Sequence, residues 1–518
     1  VGDSVSDFVS YRVDSWLEDN GRAPAVAWFD PHGPRVPVRP PLSPGRAKRY
    51  AALLRELKLS GHGLDEVQAE ACMDGLSSTV QLLLGPPGTG KTNTTAAAIL
   101  LRLAARDKNS MFIVSANTHT AVDELMSRLR QSIVPFIEAA RRNGVDCKQV
   151  IPLRLSRELG EAGYHVPPEN ITEIMERAKQ GHLVIGGSIN EVLKLAGSAR
   201  KVLGSPLRVD GLTVDEASMM IFPAFLALST LVSPDGEIML AGDHLQLSPI
   251  TAHQWEDETR EQVMRYSPHE SAYIAVQKLC SQCGPGMIKR SALTTTYRLT
   301  PELTHLISGI YRREGYSLES KKRNSAKNGM PTSFRDLWSN GGVFLVVHGE
   351  AGSRKSNEFE AALVRDILAA RPGPKGAIPP GSVSIITPHR AQRAVLRTTL
   401  KGGLGKQIKM IDTVERLQGG ECETIIVSGT QSDASAIAGN AEFILDLNRT
   451  NVIFSRAKER LIVVCSRNLL DSVPADLEDY RSSWLWKHLR SICDTTAAVV
   501  SGYEYDVRIM VPGKYWTE

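Results

Sequence analysis

The fold of this chain is decided by Gly85-Pro86-Pro87-Gly88-Thr89-Gly90-Lys91-Thr92, which follows the apolar run at residues 80–84. The stretch fits the pattern G-x-x-x-x-G-K-[ST], and the alanine-rich segment that begins near Lys91 predicts a helix. Glycines let backbone N–H groups turn inward around an oxyanion, and the new helix adds the positive end of its dipole. A buried strand, this loop and the helix therefore predict a nucleoside triphosphate site in an α/β fold.

The residue types at this predicted site suit phosphoryl chemistry. Lys91 is expected to reach the β- and γ-phosphates, and the Thr92 hydroxyl is expected to hold Mg²⁺. Another apolar run ends at Asp215 and Glu216, and two carboxylates at a strand end are costly unless they face solvent or a metal. We predict that Asp215 holds Mg²⁺ and that Glu216 orients and deprotonates the attacking water. Gln246, after the next predicted strand, is placed to sense the γ-phosphate.

The composition is that of a folded chain with more than one domain. Hydrophobic residues make up 42% of the 518 residues, charged residues make up 23%, and the net charge is +4. So mild a charge predicts that an anionic partner is met by local basic patches. Two basic stretches, at residues 194–208 and 312–327, could form the walls of such a groove, but solvated faces fit them equally well.

The cysteines and apolar runs bear on the compartment. The seven cysteines are scattered, which argues against a disulfide scaffold and favours a reducing environment. No secretory signal is visible, and the apolar stretch at residues 219–232 falls short of the about 18–20 residues needed to span a membrane. We expect an intracellular protein, cytoplasmic or nuclear, without a membrane partner.

Short apolar runs alternate with helical patterns, which predicts parallel sheets covered by helices. The predicted strands lie at residues 80–84, 111–115, 182–185, 212–215 and 237–241, then at 342–347, 383–387, 424–428 and 461–465. Because the rhythm restarts after Gly284-Pro285-Gly286, we predict two α/β domains. The predicted divisions are an N-terminal extension (1–60) that contains a helix, a strand at residues 25–29 and a linker, then a first domain (61–288) with a small helical insertion at about 130–180, a second domain (289–490) and a tail (491–518).

Further motifs flank the phosphate loop in a defined order. They are Leu64-Asp65-Glu66-Val67-Gln68, residues 115–123, Asp215-Glu216-Ala217, Gly242-Asp243-His244-Leu245-Gln246-Leu247, Thr296-Tyr297-Arg298, Thr387-Pro388-His389 with Gln392, residues 412–421, and residues 451–458. This order, over about residues 64 to 467, resembles the superfamily 1 helicases. It is most similar to their 5′→3′ branch, which includes senataxin and the up-frameshift nonsense-decay helicases. The resemblance implies two tandem RecA-like domains, of which the first carries the phosphate loop.

The resemblance also implies roles in nucleotide binding. Gln68 is expected to read the adenine edge, Tyr297 to stack on its face, and Glu421 to contact the ribose. Arg298 and Arg456, from the second domain, are expected to stabilise the transferring γ-phosphoryl group, an effect of about 10³–10⁵ in rate in related systems. ATP binding would then close the two domains, and hydrolysis would reopen them.

A second set of residues is expected to hold a single strand of nucleic acid. Such strands are held through their phosphates by backbone N–H groups, hydroxyls and basic side chains. By the same resemblance, the expected contacts are Asn117, Thr118, Thr387, Pro388 and Thr413. Loading or regulatory protein partners are a further expectation.

Two functions remain open at this stage. The first is an ATP-driven translocase or helicase, moving 5′→3′ on single-stranded DNA or RNA. The second is a nucleic-acid-stimulated ATPase clamp or switch that works within a larger complex and unwinds little. A kinase or GTPase is excluded by the second α/β domain with its arginine-bearing motifs.

The chain departs from the family pattern at two places. Many relatives have a glutamine followed by polar residues where this chain has Met219-Met220-Ile221-Phe222, and the aromatic residue that usually precedes the Gln-Gly pair of the coupling motif is Leu417. A hydrogen bond between the domains at the first of these places is therefore not expected.

Overall fold

The computed structural model describes residues 3–516 except 31, 34, 60, 159, 162, 250–269, 285–286, 325–326, 373–380, 403, 406–407 and 417–419; side chains 3–10, 62 and 416 are also not described. The Gly284-Pro285-Gly286 boundary and Leu417 thus lie wholly or partly outside the described residues. The chain divides into two compact units. The first is Val1–Pro86, Gly90–His244 and Ser248–Leu293, and the second is Pro87–Thr89, Leu245–Leu247 and Thr294–Glu518.

The first unit has ten strands among the described residues, and eight of them form one sheet. Its strands are β1 Lys58–Leu59, β2 His62–Gly63, β3 Val80–Leu84, β4 Met111–Ala116, β5 Val150–Leu155, β6 His165–Val166, β7 His182–Gly186, β8 Val209–Asp215, β9 Val232–Gly242 and β10 Ile288–Ala292. The sheet order is β10-β3-β9-β8-β4-β7-β5-β6, with every neighbouring pair parallel, while β1 and β2 form a separate antiparallel pair. This confirms a parallel α/β fold.

Helices cover this sheet because its central strands are largely apolar and buried. All five residues of β3 are buried, the pattern of a strand enclosed on both faces. The helices are α1 Asp3–Asn20, α2 Pro44–Glu56, α3 Glu66–Asp74, α4 Lys91–Ala104, α5 His119–Arg142, α6 Ile171–Gln180, α7 Ile189–Leu203, α8 Phe222–Ser229 and α9 Ala272–Cys280. Every residue of α4 from Thr94 to Leu103 is buried, so the helix behind the phosphate loop is a central element of the core.

The predicted helical insertion at about 130–180 is wrong in kind. Part of this segment continues the sheet, because β5 pairs in parallel with β7, and β6 pairs with β5. The run Val150-Ile151-Pro152-Leu153-Arg154-Leu155 was missed because Pro152 and Arg154 interrupt its apolar pattern. Arg154 is accommodated in the strand by ion pairs with Asp123 and Glu191.

The second unit has nine strands among the described residues, and seven of them form one mixed sheet. Its strands are β11 Thr295–Thr296, β12 Glu319–Ser320, β13 Gly342–His348, β14 Val383–Ile386, β15 Met410–Asp412, β16 Cys422–Ser428, β17 Ala457–Ser466, β18 Thr495–Val500 and β19 Val507–Val511. The order is β15-β14-β16-β17-β13-β19-β18, and the first five strands are parallel. β11 and β12 pair separately.

Ten helices accompany this sheet among the described residues. They are α10 Pro301–Arg312, α11 Phe334–Ser339, α12 Glu358–Ala369, α13 Arg390–Thr399, α14 Ala434–Ala438, α15 Ala441–Ile444, α16 Leu447–Phe454, α17 Arg467–Asp471, α18 Leu477–Ser482 and α19 Trp484–Ile492. Shorter 3₁₀ turns span Pro24–Phe29 in the first unit, and Val414–Arg416 and Gly513–Tyr515 in the second.

The predicted divisions differ from the two units at both ends. Residues 1–60 group with the first unit, and the unit boundary follows Leu293. The tail is part of the second sheet, because β18 and β19 form an antiparallel hairpin and β19 pairs with β13. Val507, Ile509 and Val511 are fully buried, so this hairpin completes the core.

Candidate nucleotide-binding site

Three adjacent strands of the first unit carry the predicted nucleotide residues. β3, β9 and β8 are neighbours in a parallel sheet, so their carboxyl ends lie at one edge, where α/β folds bind ligands. The loops that follow are tied together: Gly85 N donates to Gly242 O at 2.9 Å, and Ala217 N donates to Ala241 O at 2.9 Å. The fold thus brings the phosphate loop and the acidic pair together at one edge of the sheet.

The phosphate loop needs its glycines for different reasons. Gly88 and Gly90 have φ values of +74° and +77°, a region that favours glycine. A Cβ at Gly85 would lie 2.6 Å from the Lys91 side chain, and one at Gly90 would lie 2.6 Å from Gln68 Nε2. α4 then begins at Lys91. The loop is therefore shaped as an anion-binding loop at a helix N-terminus.

Lys91 and Asp215 form the central ion pair of this site. Lys91 Nζ lies 2.5 Å from Asp215 Oδ1, and their side chains are 20% and 5% exposed. Burial by itself lowers the pKa of Lys91, but the charges of Asp215, Glu216 and Asp243 outweigh it, so the pKa lies above its ordinary value. The ammonium group is therefore held charged, as phosphate binding requires.

Glu216 is held in an unusual backbone conformation beside this pair. Its φ is +49°, and its N–H donates to Asp215 Oδ1 at 2.9 Å. Non-glycine residues with positive φ are uncommon and gather at active sites. The side chain is partly exposed, which fits a group that must meet water.

The predicted magnesium ligands fit that ion in chemical type. Mg²⁺ prefers oxygen ligands, and it binds protein through one or two side chains while keeping several waters. Asp215 supplies a carboxylate at the strand end, and Thr92 supplies a partly exposed hydroxyl in the first turn of α4. These two residues would hold the ion against the phosphates.

Gln68 is placed beside the phosphate loop but is engaged locally. Asp65 N donates to Gln68 Oε1 at 3.0 Å, and Gln68 N donates to Asp65 Oδ1 at 2.7 Å, which is a capping box at the start of α3. The residue is 5% exposed. Its expected contact with adenine therefore falls to the amide Nε2, which lies near Gly90.

In the second unit, Arg298 and Glu421 contact each other directly. Arg298 Nε lies 2.7 Å from Glu421 Oε2, and Lys458 pairs with Glu421 Oε1. Burial raises the pKa of Glu421, but the charges of Arg298 and Lys458 outweigh it and lower the pKa below its ordinary value. Lys458 is a partner that sequence reasoning missed, although it lies two residues after Arg456 in the last motif.

Two further predicted residues of the second unit, Arg456 and Tyr297, contact predicted residues of the nucleotide motifs within the same unit. Arg456, 7% exposed, donates from Nη2 to Gln246 Oε1 at 3.1 Å within this unit, to which Leu245–Leu247 belong. Tyr297 is 44% exposed, and its N–H donates to Gly88 O at 2.8 Å. An exposed ring at this position fits the expected stacking role.

The predicted strand contacts divide into surface and interior residues. Asn117 is exposed, and Thr118 accepts from Ala121 N at 3.2 Å as the N-cap of α5. Pro388 is partly exposed, whereas Thr413 is 7% exposed.

Thr387 does not fit its expected role. The residue is fully buried, and its hydroxyl lies 2.8 Å from Thr430 Oγ1, so the hydroxyl cannot reach a strand phosphate from this position. Sequence reasoning had no signal for this partner, because Thr430 lies 43 positions further along the chain.

Comparison with known proteins agrees with this architecture. Two family models, each described as an AAA domain, match residues 68–252 and 274–468. A regulator of nonsense transcripts 1 homolog from Neurospora crassa is 24% identical, and the match covers 79% of this chain and 38% of the relative. The homolog from Drosophila melanogaster is 26% identical, and the match covers 85% of this chain and 36% of the relative. A DNA replication ATP-dependent helicase/nuclease, JHS1 of Arabidopsis thaliana, is 23% identical over 76% and 27%.

Solved structures of helicases are also similar, at low identity. A DUF1998 helicase, MrfA, bound to DNA, is 12% identical with a TM-score of 0.41, covering 88% of this chain and 55% of that one.

The fold and the site define a phosphate-loop protein with two α/β units. The chain belongs to the superfamily 1 helicases, as a distant member of the branch that contains regulator of nonsense transcripts 1 and the DNA replication helicase/nucleases. It spans between 27% and 38% of the length of the three relatives described above. No helix among the described residues is long and apolar enough to cross a membrane.

Proposed function

We propose that the chain hydrolyses ATP with Mg²⁺ and uses the cycle to move 5′→3′ along a single strand of DNA or RNA. The observation that carries the proposal is the Lys91–Asp215 pair at the carboxyl edge of the first sheet, next to a glycine loop at the start of α4. The direction of movement comes from the family branch alone. The relatives named above are nonsense-transcript regulators and a DNA replication helicase, so either nucleic acid is a reasonable track.

In this proposal each residue of the first unit has one task. Lys91 binds the terminal phosphates, and Asp215 and Thr92 hold the magnesium ion, which neutralises phosphate charge when bound. Glu216 takes a proton from the attacking water. Gln246, which belongs to the second unit, helps to orient that water.

The residues of the second unit supply positive charge and bind the nucleoside. Arg298 and Arg456 stabilise the charge that develops on the phosphoryl group. Arg298 and Lys458 already hold Glu421 in this structure, so a ribose contact by Glu421 requires that it exchange one of these partners. Tyr297 offers the ring on which adenine stacks.

ATP hydrolysis tests the proposal at fixed moderate salt, without nucleic acid, with single-stranded DNA and with single-stranded RNA. Strong stimulation by one of them supports a motor and identifies its track. Lys91→Ala is the control and should abolish turnover. A Lys91→Ala variant with full stimulated activity contradicts the site.

The alternative clamp function is separated by strand displacement. Duplexes with a 5′ overhang, a 3′ overhang or blunt ends are compared at equal ATP. Displacement from the 5′ overhang supports translocation in the proposed direction. Stimulated hydrolysis without displacement of any duplex supports the clamp.

A further inference from the structure

Thr430, in the second unit, has an unusual backbone conformation. Its φ is +70°, and Glu216 is the other non-glycine residue with positive φ among those described. A β-branched residue in this region is a genuine outlier, and such strain persists only where the surroundings over-determine it. Thr430 lies just beyond β16, at the carboxyl edge of its sheet.

Three buried side chains hold Thr430 in place. Thr430 N donates to Glu360 Oε2 at 2.8 Å, and Asn357 Nδ2 donates to Thr430 O at 3.2 Å. The Thr430 hydroxyl donates to Ser428 O at 3.2 Å and lies 2.8 Å from Thr387 Oγ1. Since the Thr430 proton is used on Ser428, Thr387 is the donor in the bond between the two threonines.

Glu360 is the centre of this network. Its carboxylate accepts from Ser428 Oγ at 2.5 Å as well as from Thr430 N, and His348 Nε2 lies 3.0 Å from its other oxygen. All four residues are fully buried. A buried carboxylate is costly unless it is hydrogen-bonded, and here β13, β16 and the segment beyond β16 supply the partners.

Gln392 extends the network to the predicted strand-contact motif. Its Oε1 accepts from Asn357 N at 2.7 Å, and its Nε2 donates to Asn357 O and Ser428 Oγ, both at 3.0 Å. Thr387 and Gln392, quoted from one sequence motif, therefore both face the interior. The segments that follow β13, β14 and β16 are fixed to one another beneath Pro388 and His389.

We propose that this network, formed by Glu360, Asn357, Gln392, Thr387 and Thr430, positions the loop at Pro388–His389 to hold the phosphates of single-stranded nucleic acid. They are positioning residues, because their side chains are buried and cannot contact a bound nucleic acid directly. This inference rests on the proposed function. It adds that the affinity for single-stranded nucleic acid depends on buried side chains that the nucleic acid cannot reach.

Two observations favour positioning over a purely structural role. Thr430 keeps a strained conformation where glycine would be unstrained. Next to it, Gln431 is fully buried, and its side-chain Oε1 and Nε2 both lack hydrogen-bond partners among the described residues. A segment selected for stability alone gains nothing from either feature, whereas such costs are expected at functional sites.

The chemistry of the surface above the network indicates the ligand. Arg354, Lys355 and Arg390 are exposed on the segments after β13 and β14, and His389 is partly exposed beside them. The charge of Lys355 is close enough to act on His389, whose pKa is lowered by burial first and by Lys355 second. Exposed cations on loops at the carboxyl edge of a parallel sheet suit a phosphate backbone.

The test is a double-mutant cycle on the complete chain. Thr430→Val and Thr387→Val each remove the same hydrogen bond, and Ser384→Ala is the matched control, since Ser384 is a buried hydroxyl of β14 that bonds Cys422 Sγ instead. The readouts are the Kd for a fluorescent single strand, the ATPase rate without nucleic acid, the KM for ATP and the melting temperature.

Each single substitution is expected to weaken binding of the single-stranded nucleic acid by about tenfold. The double variant should bind no more weakly than Thr430→Val alone, which already loses both hydroxyl bonds. The basal ATPase rate and the KM for ATP should match wild type, and Thr430→Ser should restore binding. Thr430→Gly keeps φ without strain, so it should weaken binding without lowering the melting temperature. Ser384→Ala should leave binding unchanged.

Unchanged strand affinity in both threonine variants overturns the inference, as does a loss that only follows the melting temperature. The proposed function fails differently. In that case the wild-type chain neither binds a single strand nor shows stimulated hydrolysis, and both proposals are overturned together.

Discussion

Lys91 Nζ lies 2.5 Å from Asp215 Oδ1, so the predicted phosphate-binding cation and the predicted magnesium ligand hold each other. Lys91 begins α4, which follows β3, and Asp215 ends β8, so the pair joins two segments that β9 separates in the sheet order. Each charge is the chief partner of the other in a site that is mostly closed to water. Nucleotide binding therefore has to exchange this contact for contacts with phosphate and metal.

This relationship predicts different failures for the two acidic residues. Asp215→Asn removes the charge that holds up the pKa of Lys91 and removes a metal ligand, so both nucleotide binding and hydrolysis should fall. Glu216→Gln leaves the Lys91–Asp215 pair in place, so hydrolysis should fall by about 10²–10⁴ while nucleotide binding remains. A fluorescent ATP analogue measures binding, and phosphate release measures turnover. Equal loss of binding in both variants would refute the division of roles.

The glycines of the chain offer a matched pair for testing the loop. Gly90 and Gly204 have similar φ values, +77° and +69°, but a Cβ at Gly90 meets Gln68 Nε2 at 2.6 Å while Gly204 has open space. Gly90→Ala and Gly204→Ala should each cost about 1 kcal/mol of stability from the backbone. Only Gly90→Ala should also raise the KM for ATP, because Gln68 is displaced. Chemical unfolding and steady-state kinetics check the two effects, and an equal rise in KM for Gly204→Ala would contradict the argument.

Much of the strand framework was predictable because most of the central parallel strands are compact apolar runs. The predicted strand at residues 80–84 matches β3 residue for residue, and the prediction at 342–347 misses only His348. The order of motifs then predicted which strand ends carry chemistry. Both predictions depend on local sequence, and local sequence is what a pattern can show.

The rest depends on long-range packing that no local pattern shows. Residues 25–29 read as a strand because they are apolar, yet Pro24 begins a 3₁₀ turn there. The tail gave no motif, although β19 pairs with β13 more than 150 residues earlier in the chain. Thr387 reads as a polar surface residue, and its hydroxyl is buried by a partner that only the folded sheet supplies.

The tail hairpin gives a prediction about stability. Ile509, on β19, is fully buried, whereas Val499, on β18, is 64% exposed. Ile509→Asp places a carboxylate in the core of the second unit and should cost several kcal/mol, while Val499→Asp should cost less than about 0.5 kcal/mol. Thermal melting of both variants is the measurement. If Ile509→Asp melts with wild type, the hairpin is not part of the core.

The last prediction concerns acid and one histidine of the first sheet. His182 begins β7 and is 1% exposed, and its Nδ1 accepts from Ser110 N at 3.2 Å. Burial, then the charges of Lys148 and Arg106, lower its pKa from 6.5 to about 4. A protonated ring could not accept this bond, so the folded state favours the neutral form.

The sign follows from proton linkage. Between pH 6.5 and about 4 the unfolded chain binds a proton at His182 and the folded chain does not. The contribution of neutral His182 to the free energy of unfolding is therefore fully present above pH 6.5 and is lost as the pH falls toward about 4. From pH 8 to pH 5 the loss is about 2 kcal/mol. His182→Asn keeps an acceptor near Ser110 N but cannot titrate, so its unfolding free energy should fall less over that range. Urea unfolding of both proteins at pH 8 and pH 5 measures the difference, and equal losses would show that His182 does not sense acid.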